Sequence, residues 1–408
     1  MKRLLADVTP VRRHPDYRRI LTGQALLNLG AQGTVVAVAY QAYRLTGSSL
    51  VVGLISLGQL VPLLVGTLWG GAVADAMDRR RLLVITVCVL ALSSVALAVN
   101  ASLSHAQVWP LFVFSAITAG VQGIQLATER ATVPMVLPLD ELPAALALQQ
   151  IVFQASLIVG PTVAGVLIGS VGVAGVFWLD VAFLVLTFVV TVRLPPLVPR
   201  GSSGRAGLAS VLEGLRYLKD QRVLAATYLI DLDAMIFGMP RVVFPALALT
   251  VYHGGGTTLG LLYAAPGAGA LVGAIFTGWV GRVRRQGRAV IVAVLGWGVA
   301  IAAFGFVRVF WLALVLLAVA GAADMISAVF RGSILQTTVP EHLQGRLSGT
   351  YVAVVTGGPR LGDTEAGVAA AIGGPQFAVW SGGLLCIAGL AVAAWRVPAL
   401  WRQSTSVP

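Results

Sequence analysis

The chain consists of a succession of apolar segments about twenty residues long, and this pattern constrains its fold more than any other feature. Hydrophobic residues make up 57% of the 408 positions, and charged residues only 11%. Soluble globular chains carry about 25% charged residues. A soluble core of this length cannot absorb so much apolar surface, whereas a bilayer can, because lipid replaces water around the apolar faces. The sequence therefore predicts an all-α integral membrane protein.

Twelve segments are predicted to be transmembrane helices, divided into two groups of six. The longest polar stretch, 193–222, follows the sixth segment and contains LPPLVPRGSSGR, a composition typical of a linker. We therefore predict two six-helix halves, residues 1–192 and 223–408, joined by a linker over 193–222. The segments are 19–43, 51–74, 82–103, 108–128, 144–169, 173–192, 223–251, 258–281, 289–307, 309–330, 347–372 and 376–395.

The basic residues predict the orientation of these segments. With the N-terminus in the cytoplasm, 24 of the 28 Lys and Arg residues fall on the cytoplasmic side and only Arg44 and Arg308 in outer loops. Such an asymmetry follows the positive-inside rule. It predicts a multi-pass protein of the bacterial inner membrane with both termini and the linker in the cytoplasm. The net charge of +12 is then explained by anionic lipid headgroups, so nucleic acid is not an expected partner.

Several kinds of chemistry are not expected from this sequence. Cys88 and Cys386 lie in apolar segments, which indicates no disulfide framework, and the four histidines fall in predicted loops far apart. Neither a metal site, a cofactor nor an enzyme is therefore predicted. Lys2 and Lys219 both lack the Gly-rich context of a phosphate loop. Transport would then draw on an ion or substrate gradient, unless a separate ATPase subunit exists. The basic, polar first sixteen residues also do not predict a cleavable signal peptide.

The two halves contain similar motifs at corresponding positions, which predicts an internal duplication. Such repeats place a substrate site near the membrane midplane, between the halves. The matching pairs are GAVADAMDRRRLLV (71–84) with GWVGRVRRQGRAVI (278–291), GPTVAG (160–165) with GPRLG (358–362), and PLDEL (138–142) with PEHL (340–343).

The loop GGAVADAMDRRR (70–81) resembles the signature of the major facilitator superfamily, in which a glycine and an aspartate precede a basic turn. Ala76 and Asp78 depart from the family pattern, which has Arg and Gly there. The resemblance implies a gating loop whose aspartate accepts hydrogen bonds from a helix N-terminus; a charge cluster that only sets topology is the alternative. The matching residues are Gly71, Asp75, Arg79 and Arg80.

The fifth segment contains ASLIVGPTVAG (155–165), which resembles the motif of the superfamily's antiporters. Gly160, Pro161 and Gly165 match, whereas Ser156 and Ala164 replace two glycines. Small residues allow close helix approach, and proline permits bending. The resemblance implies a gating role in export, and a packing seam is the alternative.

Three stretches of the second half, 241–249, 260–274 and 333–349, are similar to the branch of enterobactin exporters and macrolide efflux permeases. The similarity extends from Pro15 to Trp395. It implies the twelve-helix major facilitator fold and a monomer that exports a small amphipathic molecule, a siderophore or a drug, in exchange for protons. A nutrient symporter and a transport-inactive membrane sensor are the alternatives.

Amide side chains are predicted to line the cavity of the first half and to bind substrate. Polar groups inside a membrane usually face a cavity or a partner. Hydrogen bonds between helices are the alternative. The residues are Gln24, Asn28 and Gln32 in the first segment, Gln122 and Gln125 beside Glu129 in the fourth, and Gln150 and Gln154 in the fifth.

The second half carries charged residues within its segments. We predict proton coupling by Asp231, Asp233 and Asp324, since burial favours a neutral carboxyl group and a nearby arginine favours the charged one. Arg241 and Arg360 are expected to pair with these aspartates or to contact an anionic substrate, and charge pairing without a role in transport is the alternative. Gly238 and Pro240 are predicted to break the seventh segment, Arg360 is a candidate partner of Asp363, and Asp180 stands alone in the sixth segment.

Overall fold

The fold is helical throughout the part of the chain that the computed structural model describes, residues 7–198, 221–275, 283–339 and 341–402. The predicted linker lies mostly outside these residues, as do 278–282 and Pro340 of the predicted repeat. The helices are α1 (Thr9–Arg13), α2 (Pro15–Thr46), α3 (Ser49–Ala76), α4 (Arg79–Ser102), α5 (Trp109–Val136), α6 (Leu142–Ser170), α7 (Val173–Val192), α8 (Arg222–Phe237), α9 (Gly256–Ile275), α10 (Gln286–Phe306), α11 (Phe310–Thr338), α12 (Glu341–Arg396) and α13 (Ala399–Arg402).

Helices α2 to α12 correspond in order to the predicted segments, which confirms the all-helical membrane fold. Ten stretches of the described residues are long and apolar enough to cross a membrane. The last of them, Val354–Arg396, corresponds to two predicted segments, because Gly374 interrupts α12 with a φ of 86°. The long helix α2 is not among the ten, since its amide side chains lower its mean hydropathy.

The chain divides into two compact units. The first comprises Met1–Leu45 and Gly58–Gly207, and the second comprises Thr46–Leu57 and Leu208–Pro408. The beginning of α3 therefore belongs to the second unit, whereas the predicted halves follow the order of the chain.

Both units use glycine to bring two helices into backbone contact beside a proline. In the first unit, a Cβ on Gly66 of α3 would overlap the carbonyl of Gly120 in α5. Gly120 in turn packs on Pro62 of α3. In the second unit, a Cβ on Gly321 of α11 would overlap the carbonyl of Pro266 in α9. Such close approach is the usual way in which helices associate inside membranes. The same construction in corresponding helices supports the predicted duplication.

The predicted break of the seventh segment is confirmed. Helix α8 ends at Phe237, and a 3₁₀ turn (Arg241–Val243), a short α turn (Phe244–Ala246) and a π turn (Leu247–Val251) continue it. Carbonyl groups that lose their helical partners need other donors inside a membrane. Trp297 Nε1 donates to the carbonyl of Gly238 at 3.0 Å. The carbonyl of Arg241 accepts the N–H of Phe244 within the turn and also the Tyr263 hydroxyl at 3.0 Å.

Candidate functional site

The first unit contains a chain of hydrogen-bonded amides that ends on a carboxylate. Gln149 Nε2 donates to Gln24 Oε1 at 2.7 Å, and Gln24 Nε2 donates to Glu129 Oε2 at 3.0 Å. Gln125 Nε2 donates to Glu129 Oε1, also at 3.0 Å. Three helices, α2, α5 and α6, contribute to this cluster. The structure therefore brings together two of the predicted amides, Gln24 and Gln125, around Glu129.

The other predicted amides do not join this cluster. Gln150 is exposed on α6. The adjacent residue Gln149 makes the hydrogen bond to Gln24 instead, so the predicted face of α6 is wrong by one residue. The backbone of Gly160 lies against the Cβ of Gln32, where an added Cβ would be 2.6 Å away. Within the described residues, no side-chain hydrogen bond is formed by Asn28, Gln32, Gln122, Gln150 or Gln154. These five stay predictions for direct substrate contact.

The second unit contains one arginine between two carboxylates. Arg331 Nη1 lies 2.5 Å from Asp231 Oδ1, and Arg331 Nη2 lies 3.6 Å from Asp324 Oδ1. The Asp231 contact is an ion pair without the alignment of a directed hydrogen bond. The side chains of Asp231 and Arg331 are 1% and 5% exposed, whereas that of Asp324 is 33% exposed. Helices α8 and α11 thus form a buried cluster in which Asp324 is the accessible carboxylate.

This cluster corrects the expected partners of the aspartates. Arg331, and neither Arg241 nor Arg360, forms the ion pairs with Asp231 and Asp324. The predicted segment 309–330 ends one residue before Arg331, whereas α11 continues to Thr338 and encloses it. Asp233 points to a different neighbour, because a Cβ on Gly389 of α12 would overlap its carboxylate.

Arg241, Arg360 and Asp363 form a second charged group in the second unit, close enough to interact electrostatically. Arg360 and Asp363 do not form the predicted ion pair. Arg360 Nη1 donates to the carbonyl of Thr356 at 2.6 Å, and Asp363 Oδ2 accepts from Ser56 Oγ at 2.9 Å. With two arginines and one carboxylate, this group carries one net positive charge when all three are ionised.

The predicted gating loop joins several elements of the first unit. Arg79 Nη2 lies 3.3 Å from Asp75 Oδ1, and Arg79 Nη1 donates to the carbonyl of Ala131 in α5 at 2.6 Å. Arg80 Nη2 donates to the carbonyl of Val192 at the end of α7, also at 2.6 Å. Among the described residues, a Cβ on Gly71 would meet nothing within 4 Å, so no packing contact with them requires glycine there. The arginines therefore anchor the loop to α5 and α7.

Asp78, which departs from the family pattern, caps helix α4. Its Oδ1 accepts from the backbone N–H of Arg80 at 2.9 Å and from that of Leu197 at 3.0 Å. The N–H of Arg79 in turn donates to the carbonyl of Leu197 at 3.1 Å. Leu194 and Leu197 are both buried. The first residues of the predicted linker are thus docked on the gating loop.

The motif of the fifth segment forms a close contact within the first unit. Gly160 and Pro161 are buried in α6, and an added Cβ on Gly160 would lie 3.0 Å from the carbonyl oxygen of Leu29 in α2. Gly165 is also buried. Packing thus accounts for Gly160, and a gating role for Gly160, Pro161 and Gly165 stays a prediction.

The chain is similar along nearly its whole length to known membrane transporters. A family model described as transmembrane secretion effector matches residues 6–406. The enterobactin exporter EntS of Citrobacter koseri is 28% identical over 360 residues, which are 88% of this chain and 86% of that protein. The Shigella boydii enterobactin exporter is 26% identical with the same coverage.

Two solved structures show the same fold at low identity. They are the nucleoside transporter NupG (TM-score 0.74, 13% identity, 94% of this chain and 99% of that chain) and a D-xylose-proton symporter (TM-score 0.72, 15% identity, 96% and 100%). The family match and the named relatives indicate a multi-pass membrane transporter rather than an enzyme.

Proposed function

We propose that this chain, which belongs to the transmembrane secretion effector family of the major facilitator superfamily, exports a small amphipathic molecule in exchange for protons. Its relatives include proteins named enterobactin exporters, so a siderophore is the first substrate to test and a macrolide drug the second. The substrate passes by alternating access, and both termini lie in the cytoplasm. The resemblance of the fifth segment to antiporter motifs favours export over nutrient symport.

The observation that carries the proton mechanism is the cluster of Arg331 with Asp231 and Asp324. Two carboxylates and one guanidinium leave one negative charge uncompensated inside the membrane, where an unpaired charge is costly. A single proton makes the cluster neutral. Asp231 holds the closer contact with Arg331 and is buried, whereas Asp324 is the more accessible group. We therefore assign the exchanging proton to Asp324 first, with Asp231 as the fixed partner of Arg331.

One proton per cycle provides enough free energy for useful export. The membrane potential contributes roughly 2.3 kcal/mol per charge per 100 mV. Since about 1.4 kcal/mol corresponds to a tenfold ratio, one proton sustains a substrate gradient on the order of fifty-fold. Asp233 lies apart from Arg331 and is the alternative carrier.

Substrate contacts are proposed within each unit by itself: amides in the first unit, and arginines in the second. Gln24 and Gln125 hold Glu129, and Gln149 extends the same chain. Asn28, Gln32, Gln122, Gln150 and Gln154 supply further hydrogen-bonding groups. Arg241 and Arg360 provide positive charge for acidic groups of a catecholate. Membrane lipid surrounds a monomer.

The test is transport of labelled enterobactin and of a labelled macrolide in proteoliposomes under an imposed pH gradient. Asp324→Asn is expected to abolish the response to the gradient, and Asp140→Asn, which changes an exposed loop aspartate, is the matched control. Transport that ignores the gradient in the unmodified protein contradicts proton coupling. A gradient response that persists in Asp324→Asn and Asp231→Asn contradicts the residue assignment and leaves Asp233 as the next variant.

A further inference from the structure

Asp180 is a buried carboxylate of the first unit that the proposed export mechanism does not use. The residue is only 7% exposed. It is the one charged residue of α7, Val173–Val192, and lies seven residues after the start of that helix. At 1.5 Å per residue this position is about 10 Å along the helix, well inside an apolar span. An ionisable residue at such a depth points to a function.

The hydrogen bonds of Asp180 leave one carboxylate oxygen free. Ser94 Oγ of α4 and Thr34 Oγ1 of α2 both donate to Oδ2, the second at 3.2 Å. Within the described residues, Oδ1 receives no hydrogen bond. It rests against the backbone of α2, because a Cβ on Gly30 would overlap it. Two hydroxyl donors therefore share one oxygen, and the other remains available to a ligand.

The carboxylate lies at the base of a small groove. The groove has a volume of about 60 Å³, and its walls come from α2, α6 and α7. Asp180 is the only charged or polar side chain among its lining residues, which include Leu29, Gly33, Gly160 and Val163. The volume admits an ion or a water molecule, whereas organic ligands need roughly 300 Å³ or more.

The described side chains of the surrounding helices present no positive charge to Asp180. The charged residues of α2 are Asp16, Arg18, Arg19 and Arg44 at its two ends, and those of α4 are Arg79, Arg80 and Arg81 at its start. Helix α6 has none, and Glu129 of α5 is bound by Gln24 and Gln125. The side chain of Arg130 lies outside the described ones. No ion pair to Asp180 exists among the described residues, so within them only the two hydroxyl donors stabilise its carboxylate.

We propose that Asp180 binds a small monovalent cation, a proton or Na⁺, at the base of this groove. A proton would add to Oδ1 without turning either hydroxyl, since both donate to Oδ2. A sodium ion would take Oδ1, a hard oxygen ligand of the kind that such cations prefer, and would complete its coordination with water in the groove. This inference does not rest on proton coupling by Asp231 and Asp324, and its test needs no transport.

The experiment measures cation binding by the purified full-length protein in detergent. In the proton arm, infrared difference spectra between pH 9 and pH 5 report the carbonyl band of protonated carboxyl groups, and Asp180→Asn is compared with the unmodified protein. In the sodium arm, thermal unfolding at a fixed alkaline pH is compared between sodium and choline chloride. A proton site predicts a band that Asp180→Asn removes; a sodium site predicts a sodium-specific stabilisation that Asp180→Asn removes.

Two glycine variants provide a matched pair in case Asp180→Asn folds poorly. Gly30→Ala introduces a methyl group that overlaps Oδ1, whereas Gly33→Ala meets its nearest atom, of Val176, at an ordinary 3.5 Å. Gly30→Ala is expected to remove the same band or stabilisation, and Gly33→Ala to retain it. The proposal is overturned if Asp180→Asn matches the unmodified protein in both arms, or if Gly30→Ala and Gly33→Ala behave alike.

Discussion

The buried ion pair of the second unit allows a quantitative prediction about stability. In Arg331→Met, the partner of Asp231 is lost while its carboxylate stays buried, because that side chain is only 1% exposed. Breaking a buried pair from one side costs about 3–5 kcal/mol. We expect the free energy of unfolding of Arg331→Met to fall by this amount.

A surface pair with the same separation is the control. Arg19 Nη1 also lies 2.5 Å from Asp16 Oδ1, but these side chains are 39% and 33% exposed. Exposed pairs contribute about 0–1 kcal/mol. Arg19→Met should therefore change the free energy of unfolding by less than about 1 kcal/mol. The two variants separate the effect of burial from that of distance.

The assay is unfolding of the purified protein in mixed micelles, followed by tryptophan fluorescence as a denaturing detergent is added. The double variant Asp231→Leu/Arg331→Met should recover much of the loss, since replacing both members of a buried pair by apolar residues is often neutral. The coupling energy follows from the double-mutant cycle. A loss in Arg331→Met no larger than that in Arg19→Met would refute the reasoning, as would a double variant as unstable as Arg331→Met.

Three further predictions follow from other parts of the chain. Asp75→Asn should reduce transport strongly in protein that inserts normally, because it weakens the contact with Arg79; unchanged transport in proteoliposomes would contradict the gating role. A cysteine introduced at position 205 should react with an impermeant reagent only in inside-out vesicles, and labelling in intact cells would contradict the orientation. Gly269→Ala should lower the unfolding temperature, since its Cβ would overlap the Ala318 carbonyl. Gly296→Ala, whose Cβ would meet no atom of the described residues within 4 Å, should leave it unchanged.

The sequence predicted the helices well because membrane burial requires long apolar segments, whatever lies around them. The break at Gly238 and Pro240 was also predictable, since proline removes a backbone donor. The partners of polar side chains were harder to predict. The predicted segment 309–330 stops one residue before Arg331, because the apolar run weakens before α11 ends. The contact of Arg331 with Asp231 joins residues about 100 positions apart, which spacing within one helix does not reveal.

The prediction of the amide cluster was incomplete for a related reason. The spacing of polar residues identifies a helix face only to within about one position. Gln149 and Gln150 are adjacent, so packing against α2 decides which of them contacts Gln24. Asp78 was recognised as a departure from the family pattern, but its role depends on Leu197, which lies far along the chain. The preference of aspartate for helix N-caps was the available indication.

The break after α8 has a consequence for how the second unit can move. A break in a helix is often treated as a hinge. A hinge can bend only if the carbonyl groups at the break can exchange one hydrogen-bond donor for another. Here the carbonyls of Gly238 and Arg241 are held by Trp297 of α10 and Tyr263 of α9. Bending at this point would break the Trp297 bond and leave the Gly238 carbonyl without that donor in an apolar medium, whereas the Arg241 carbonyl would keep the N–H of Phe244. We therefore expect the break to keep its angle. We expect α8, α9 and α10 to travel together as one rigid body during a transport cycle.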